Sequence, residues 1–138
     1  MDVTPILDSL NDAQRQAVTS PAEPTLVIAG AGSGKTRVLV HRAAWLIDVE
    51  GVSPQGLLAV TFTNKAAAEM RHRIEALLNV PVQHLWIGTF HGLAHRMLRR
   101  HWREANLPQN FQIIDSDDQL RLIKRLFKNL DVDDSQFA

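Results

Sequence analysis

The sequence contains no cysteine among its 138 residues. Disulfides, thiolate zinc sites and thiol nucleophiles are therefore excluded. Long apolar runs are missing as well. The longest, Ala43-Ala44-Trp45-Leu46-Ile47, has five residues, against the roughly 20 that a membrane-spanning helix needs. Met1-Asp2-Val3-Thr4-Pro5 has no basic region ahead of an apolar one, so no secretory signal is expected. Together these absences predict a cytoplasmic protein with no membrane partner. Net charge is also absent, because fifteen Lys+Arg offset fifteen Asp+Glu. No Asp-Glu pair occurs anywhere in the chain, which bears on the chemistry below.

The length suits one domain or part of one. The 45% hydrophobic and 22% charged fractions read as globular rather than disordered or fibrous. The charges are unevenly placed. Residues 62–103 hold seven bases and two acids, with His72, His84, His91, His95 and His101 besides. A polyanion responds to such local basicity more than to the total, because screening confines a charge to about 10 Å. Arg96, Arg99, Arg100 and Arg103 fall at i, i+3, i+4 and i+7. On a helix they form one basic stripe, with Phe90, Ala94, Met97 and Leu98 mostly opposite. The stripe suits nucleic-acid phosphates, an acidic neighbouring domain, or only solvent.

Strand and helix signals alternate along the chain. Asn11 is a good N-cap and Gln14 completes a capping box for a helix over 11–19. Thr25-Leu26-Val27-Ile28-Ala29 predicts a buried strand between Pro24 and Gly30. A helix over 34–48 is expected to bury Leu39, Ala43, Leu46 and Ile47. Residues 57–62 predict a second strand. A helix over 64–79 follows, with Ala67, Met70, Ile74, Leu77 and Leu78 at helical spacing. Residues 85–88 predict a third strand, 90–104 a helix, and 111–114 a short fourth strand. Ser116 is expected to cap a last helix burying Leu120, Ile123, Phe127 and Leu130. Trp45, Trp86 and Trp102 read as core or half-buried anchors rather than base-stacking platforms. The alternation argues for an α/β fold around a parallel sheet.

Ala29-Gly30-Ala31-Gly32-Ser33-Gly34-Lys35-Thr36 lies between a predicted strand and a predicted helix. It matches the phosphate-loop pattern except that Ala29 replaces the first glycine. Gly30, Gly32 and Gly34 are expected to allow positive φ and close backbone approach. The exposed N–H groups then form an anion nest at a helix N-terminus. Lys35 supplies a point charge for the β- and γ-phosphates, and the Thr36 hydroxyl a magnesium ligand. The guanine-reading Asn-Lys-x-Asp pattern is not met, because Asn64-Lys65-Ala66 is followed by Ala67. Ile113-Ile114-Asp115 mimics the carboxylate strand of an ATPase, but reads better as the start of a capped helix. His91 and His95 lack the glutamate of a helical zinc motif. A self-contained small phosphotransferase and a non-catalytic nucleotide- or nucleic-acid-binding module both stay open on these residues.

Four segments carry a resemblance. Residues 10–14 (Leu-Asn-Asp-Ala-Gln), Ala29 to Arg37, Val60 to Ile74 and Gly88 to His95 resemble, in order and spacing, the Q motif, Walker A, motif Ia and motif Ib of superfamily 1A DNA helicases of the UvrD, Rep and PcrA family. The resemblance implies an ATP- and magnesium-using motor that moves 3′ to 5′ on single-stranded DNA. Its two RecA-like domains would close on ATP and reopen on hydrolysis. It further implies repair and replication roles, with repair proteins and duplex/single-strand junctions as partners. Gln14 would read the adenine edge and Arg37 pack near the base. Phe62, Thr63, Asn64 and His91 would contact single-stranded DNA, with Arg96 and Arg99 beside them. Phe62 also reads as a core residue, Asn64 as a plain N-cap, Gln14 as a capping partner and Arg37 as an exposed helix arginine.

The implied fold is an incomplete P-loop NTPase domain, the parallel sheet flanked by helices. Residues 1–115 would belong to the first RecA-like domain and 116–138 would begin an inserted helical subdomain. The Asp-Glu box, the arginine fingers and the second RecA-like domain have no counterpart. The chain is therefore expected to be the amino-terminal piece of a longer helicase, unable alone to hydrolyse ATP or unwind duplex.

Overall fold

A computed structural model describes residues 2–78 and 85–131. Position 79 of the predicted third helix, His84, and residues 132–138 of the expected subdomain lie outside them. The chain divides into two compact units, one through Met97 and one from Leu98 onward.

The first unit begins with a single helical turn, α1 (Thr4–Leu7), which has Pro5 in its first turn and no counterpart among the expected elements. Helix α2 (Asp12–Thr19) follows with the capping box complete. The Asn11 side chain accepts from the Gln14 amide at 2.9 Å, and the Gln14 side chain accepts from the Asn11 amide at 3.1 Å. Helix α3 (Lys35–Asp48) starts at Gly34. A short turn at Pro54–Gly56 leads into strand β1 (Leu58–Thr61). Helix α4 (Asn64–Leu78) then crosses to strand β2 (Trp86–Thr89). The two strands pair in parallel, Leu58 opposite Trp86 and Thr61 opposite Thr89. Parallel neighbours require such a crossover. Helix α5 (Phe90–Arg100) leaves β2 directly.

The core sits where α3 meets α2 and α4 and where α4 covers the sheet. Val18, Val40, Ala44 and Ile74 are at most 1% exposed. Burying a side chain of the size of Ile74 stabilises by about 1.5–3 kcal/mol. Helix α4 buries Ala67, Met70, Ile74 and Leu78, with Leu77 partly buried, as its spacing predicts. Helix α3 buries Ala43 and packs Leu46 and Ile47 partly against the core, as expected, with Leu39 the exception. Val40, His41, Ala43 and Ala44 are buried, while Leu39 points outward. His41 is accommodated because its Nδ1 lies 2.5 Å from the Ile6 carbonyl oxygen, so a buried polar ring keeps a partner. In α5 the buried residue is Leu93, whereas Phe90, Met97 and Leu98 are exposed. Leu93 packs on Gly88, where an added Cβ would meet Leu93 Cγ at 3.1 Å.

Residues 25–29 form no strand. The side chains of Leu26 and Ile28 are 84% and 88% exposed. A strand needs a ladder partner, and among the described residues the two strands pair only with each other. A strand-like composition is thus left without a neighbour. The sheet is accordingly smaller than expected.

In the second unit, four corrections apply. The helix predicted to 104 ends at Arg100. The chain continues in turns closed by Asn106 in the left-handed region (φ 53°), with the Leu107 amide on the Trp102 carbonyl at 2.9 Å. Residues 111–114 are not a strand. Phe111 is buried but Ile113 and Ile114 are half exposed, and no strand among the described residues pairs with them. Helix α6 (Ser116–Asn129) is capped by Asp115 rather than Ser116, the carboxylate accepting from the Asp118 amide at 2.8 Å. A carboxylate at the N-cap also opposes the positive helix end. Leu120, Ile123 and Leu130 are exposed instead of facing a core.

Candidate functional site

Two features of the first unit gather the singled-out residues. The first is the loop at the start of α3. Gly32 and Gly34 adopt positive φ, 75° and 85°, which only glycine tolerates without strain. Gly30 does not, so its expected conformational role is not met. No side chain caps α3, so none of its first N–H groups is taken up by a capping side chain. Ser33 folds the loop on itself, its Oγ donating to the Gly30 carbonyl at 2.7 Å. Lys35 Nζ donates to the carbonyls of Ala29 at 3.1 Å and Gly30 at 2.5 Å. The ammonium is therefore held over the loop.

A cavity of about 460 Å³ opens here, lined by Gln14, Gly32, Ser33, Gly34, Lys35, Thr36, Arg37 and Arg73. Gln14 reaches it because the capping box fixes its side chain, whose Nε2 donates to the Ser33 carbonyl at 3.0 Å. Arg37 also bonds the Ser9 carbonyl at 3.4 Å, so it is tied to the α1–α2 connection. Arg73 was not singled out in the sequence. It comes from α4, where it pairs with Glu69, and only the packing of α4 on α3 brings it to the loop. Its position one helical turn from Glu69 signals an ion pair and nothing more. Ala31 completes the exposed loop and Ala29 leads into it. Exposed backbone donors at a helix start, with three cationic side chains around them, suit a polyphosphate. Thr36 stands at the same wall. Among the described residues no three His, Cys, Asp or Glu side chains gather as a metal site.

The second feature is the edge where both strands end. Phe62 follows β1 and Phe90 follows β2. Their rings lie 5.5 Å apart, tilted by 49°. Phe62 is 87% exposed, which removes the core reading. Phe90 is exposed as well and was expected only to back the basic stripe. The parallel register, with Thr61 opposite Thr89, explains how two phenylalanines 28 positions apart meet. Two helices start at this edge. The Thr63 hydroxyl accepts from the Ala66 amide at 3.1 Å and that of Thr89 from the Gly92 amide at 3.2 Å. The cap of α4 is thus Thr63, and Asn64 is the exposed first helical residue. His91 is exposed one residue past Phe90.

The basic stripe is not a single row. Arg103 lies beyond the end of α5 and stands over the Trp102 ring at 5.0 Å. Arg96 donates to the Leu85 carbonyl at 2.9 Å and stands over Trp86 at 4.4 Å. Arg99 donates to the Gln109 carbonyl at 3.2 Å and stands over Phe111 at 4.5 Å. Both guanidinium groups brace their own surroundings and remain on exposed residues. Trp45, Trp86 and Trp102 are half-buried, in keeping with anchors.

Comparison with known proteins extends these observations. The family profile of the UvrD/REP helicase N-terminal domain matches residues 10–138. Over 99% of its length the chain is 64% identical to DNA helicase II of Escherichia coli and 60% identical to DNA helicase II of Haemophilus influenzae. Over 96% it is 46% identical to the ATP-dependent DNA helicase PcrA of Staphylococcus aureus. The chain spans 18–19% of the length of these relatives. With the profile covering nearly all of it, this chain belongs to the UvrD/REP helicase N-terminal domain family.

Proposed function

We propose that the chain is the amino-terminal, nucleotide-binding portion of an ATP-dependent 3′–5′ DNA helicase of repair and replication. It would carry part of the single-stranded DNA track, within a RecA-like P-loop domain. The observation that carries this reading is the loop from Gly30 to Thr36. Its two left-handed glycines, uncapped helix start and overhanging Lys35 form a polyphosphate cradle. Relatives named as DNA helicases and as an ATP-dependent helicase support the choice of ATP and DNA.

In this reading the backbone amides of Gly32, Ser33, Gly34 and Lys35 receive the phosphates. Lys35 exchanges the carbonyls of Ala29 and Gly30 for phosphate oxygens, and Arg73 adds charge from the opposite wall. Gln14 and Arg37 flank the adenine side. A magnesium ion bound with the nucleotide neutralises charge on its phosphate oxygens, and Thr36 is the residue that would hold it. The chain has no Asp-Glu pair to complete that ion's site or orient water. The isolated chain is therefore expected to bind nucleotide without turning it over. In the intact protein, ATP would close two RecA-like domains and hydrolysis reopen them. Residues 1–115 would form part of the first such domain and 116–138 the start of an inserted subdomain, in the cytoplasm.

The strand-end edge supports the DNA reading. A base can stack on Phe62 or Phe90, while the starts of α4 and α5, with Thr63, Asn64 and His91, face phosphates. Arg96, held at Leu85 and Trp86 where β2 begins rather than where it ends, and Arg99 are proposed as further phosphate contacts outside that edge's own cluster. Repair proteins and duplex/single-strand junctions are proposed partners of the intact protein. Titration of this chain with Mg·ATP and with a labelled single strand tests the reading. Saturable binding of both, without ATP turnover, is expected. Rapid DNA-stimulated turnover by this chain alone would overturn the division of labour.

A further inference from the structure

We infer that the α2 capping box sets the shape of the phosphate loop, so that Gln14 acts as a positioning residue for phosphate binding whatever the base. The inference rests on the nucleotide-binding reading above. A continuous hydrogen-bond chain carries it. The Asn11 amide donates to Gln14 Oε1 at 3.1 Å, and Gln14 Nε2 donates to the Ser33 carbonyl at 3.0 Å. Ser33 Oγ donates to the Gly30 carbonyl at 2.7 Å, and that same oxygen accepts from Lys35 Nζ at 2.5 Å. The first bond decides the orientation of the Gln14 side-chain amide. With Oε1 engaged by Asn11, the NH₂ group must face the loop.

Gly34 adds a second constraint. A Cβ built there would lie 2.8 Å from Gln14 Nε2. The glutamine head lies against the residue that caps α3, so a side chain there would displace it, and Gly34 is favoured in its own right by its φ of 85°. The peptide joining Ser33 to Gly34 is thus held from the α2 side. Its amide neighbours are the donors that a polyphosphate would use. A glutamine that only read an adenine edge would need no bond to the loop. A glutamine that braces the loop must contribute equally to a ligand with no base.

Inorganic tripolyphosphate is the probe that separates the two roles. Binding of Mg·ATP and of magnesium tripolyphosphate is measured calorimetrically on this chain, wild type and Gln14→Met, with thermal melts alongside. Methionine keeps the length and removes both hydrogen bonds without adding charge. The expected result is a loss of about five-fold for both ligands, the effect of one missing hydrogen bond. Weakened ATP binding with unchanged tripolyphosphate binding would overturn the inference and leave the nucleotide reading intact. No saturable binding of either ligand to the wild type would overturn both. If Gln14→Met melts below the assay temperature, Gln14→Glu takes its place, since a carboxylate keeps the capping box but cannot donate to Ser33. Unchanged tripolyphosphate affinity in that variant also overturns the inference.

Discussion

Replacing Lys35 with alanine isolates the phosphate contact from the fold. Lys35 is exposed and stands at the first position of α3. Its ammonium donates to the carbonyls of Ala29 and Gly30, at 3.1 and 2.5 Å. Both oxygens can be hydrated when it is removed, and alanine is a strong helix former. Thermal stability should therefore change by no more than about 0.5 kcal/mol. Binding is different. A charge-assisted hydrogen bond contributes roughly 1.5–3 kcal/mol, and a phosphate carries more charge than the carbonyls it displaces. A net loss of about 2–3 kcal/mol corresponds to affinity weakened roughly 30- to 150-fold. Calorimetric titration with Mg·ATP, paired with a thermal melt, reads both quantities. An unchanged dissociation constant would refute the loop as the phosphate site. A large fall in melting temperature would refute the separation of binding from folding.

Other consequences follow from the same geometry. Phe62→Ala and Phe90→Ala should each weaken single-strand binding by about 1–3 kcal/mol; fluorescence anisotropy on a labelled oligonucleotide checks this. Their effects should be non-additive in the double variant, because the rings are in contact. Arg96→Lys should keep the salt dependence of DNA binding yet lower stability by about 1 kcal/mol, through loss of the Leu85 and Trp86 contacts. Arg96→Ala should in addition flatten the slope of log affinity against log salt by about one, and an unchanged slope would leave Arg96 with its bracing role alone. Ile74→Ala should cost about 2–5 kcal/mol in denaturant unfolding, since that side chain is fully buried.

Features set by nearby residues were the most legible in the sequence. The capping box of α2 follows from Asn11 and Gln14 three residues apart, and the buried face of α4 from its spacing. The phosphate loop is readable because glycine, lysine and threonine occur in one short run. Features set by distant residues were not. Arg73 reaches the cavity only because α4 packs on α3, and Phe90 meets Phe62 only through the register of β1 with β2. The composition of residues 25–29 says strand, but a strand also needs a neighbour, which a local pattern does not supply. The single miss on α3, Leu39, has the same origin. Leu39 and Val40 are both apolar, and which one faces α4 depends on how the helices meet. At α6 the cap moved by one residue because Asp115 and Ser116 are both good caps and the carboxylate adds a favourable charge.

The most direct test of the central claim is the pattern of backbone amide shifts in NMR spectra of this chain as Mg·ATP is added. The account predicts that the largest changes fall on Gly32, Ser33, Gly34, Lys35 and Thr36, with Gln14 moving alongside and Ile74 in the core still. Changes confined to other parts of the chain, or no saturable change, would contradict it.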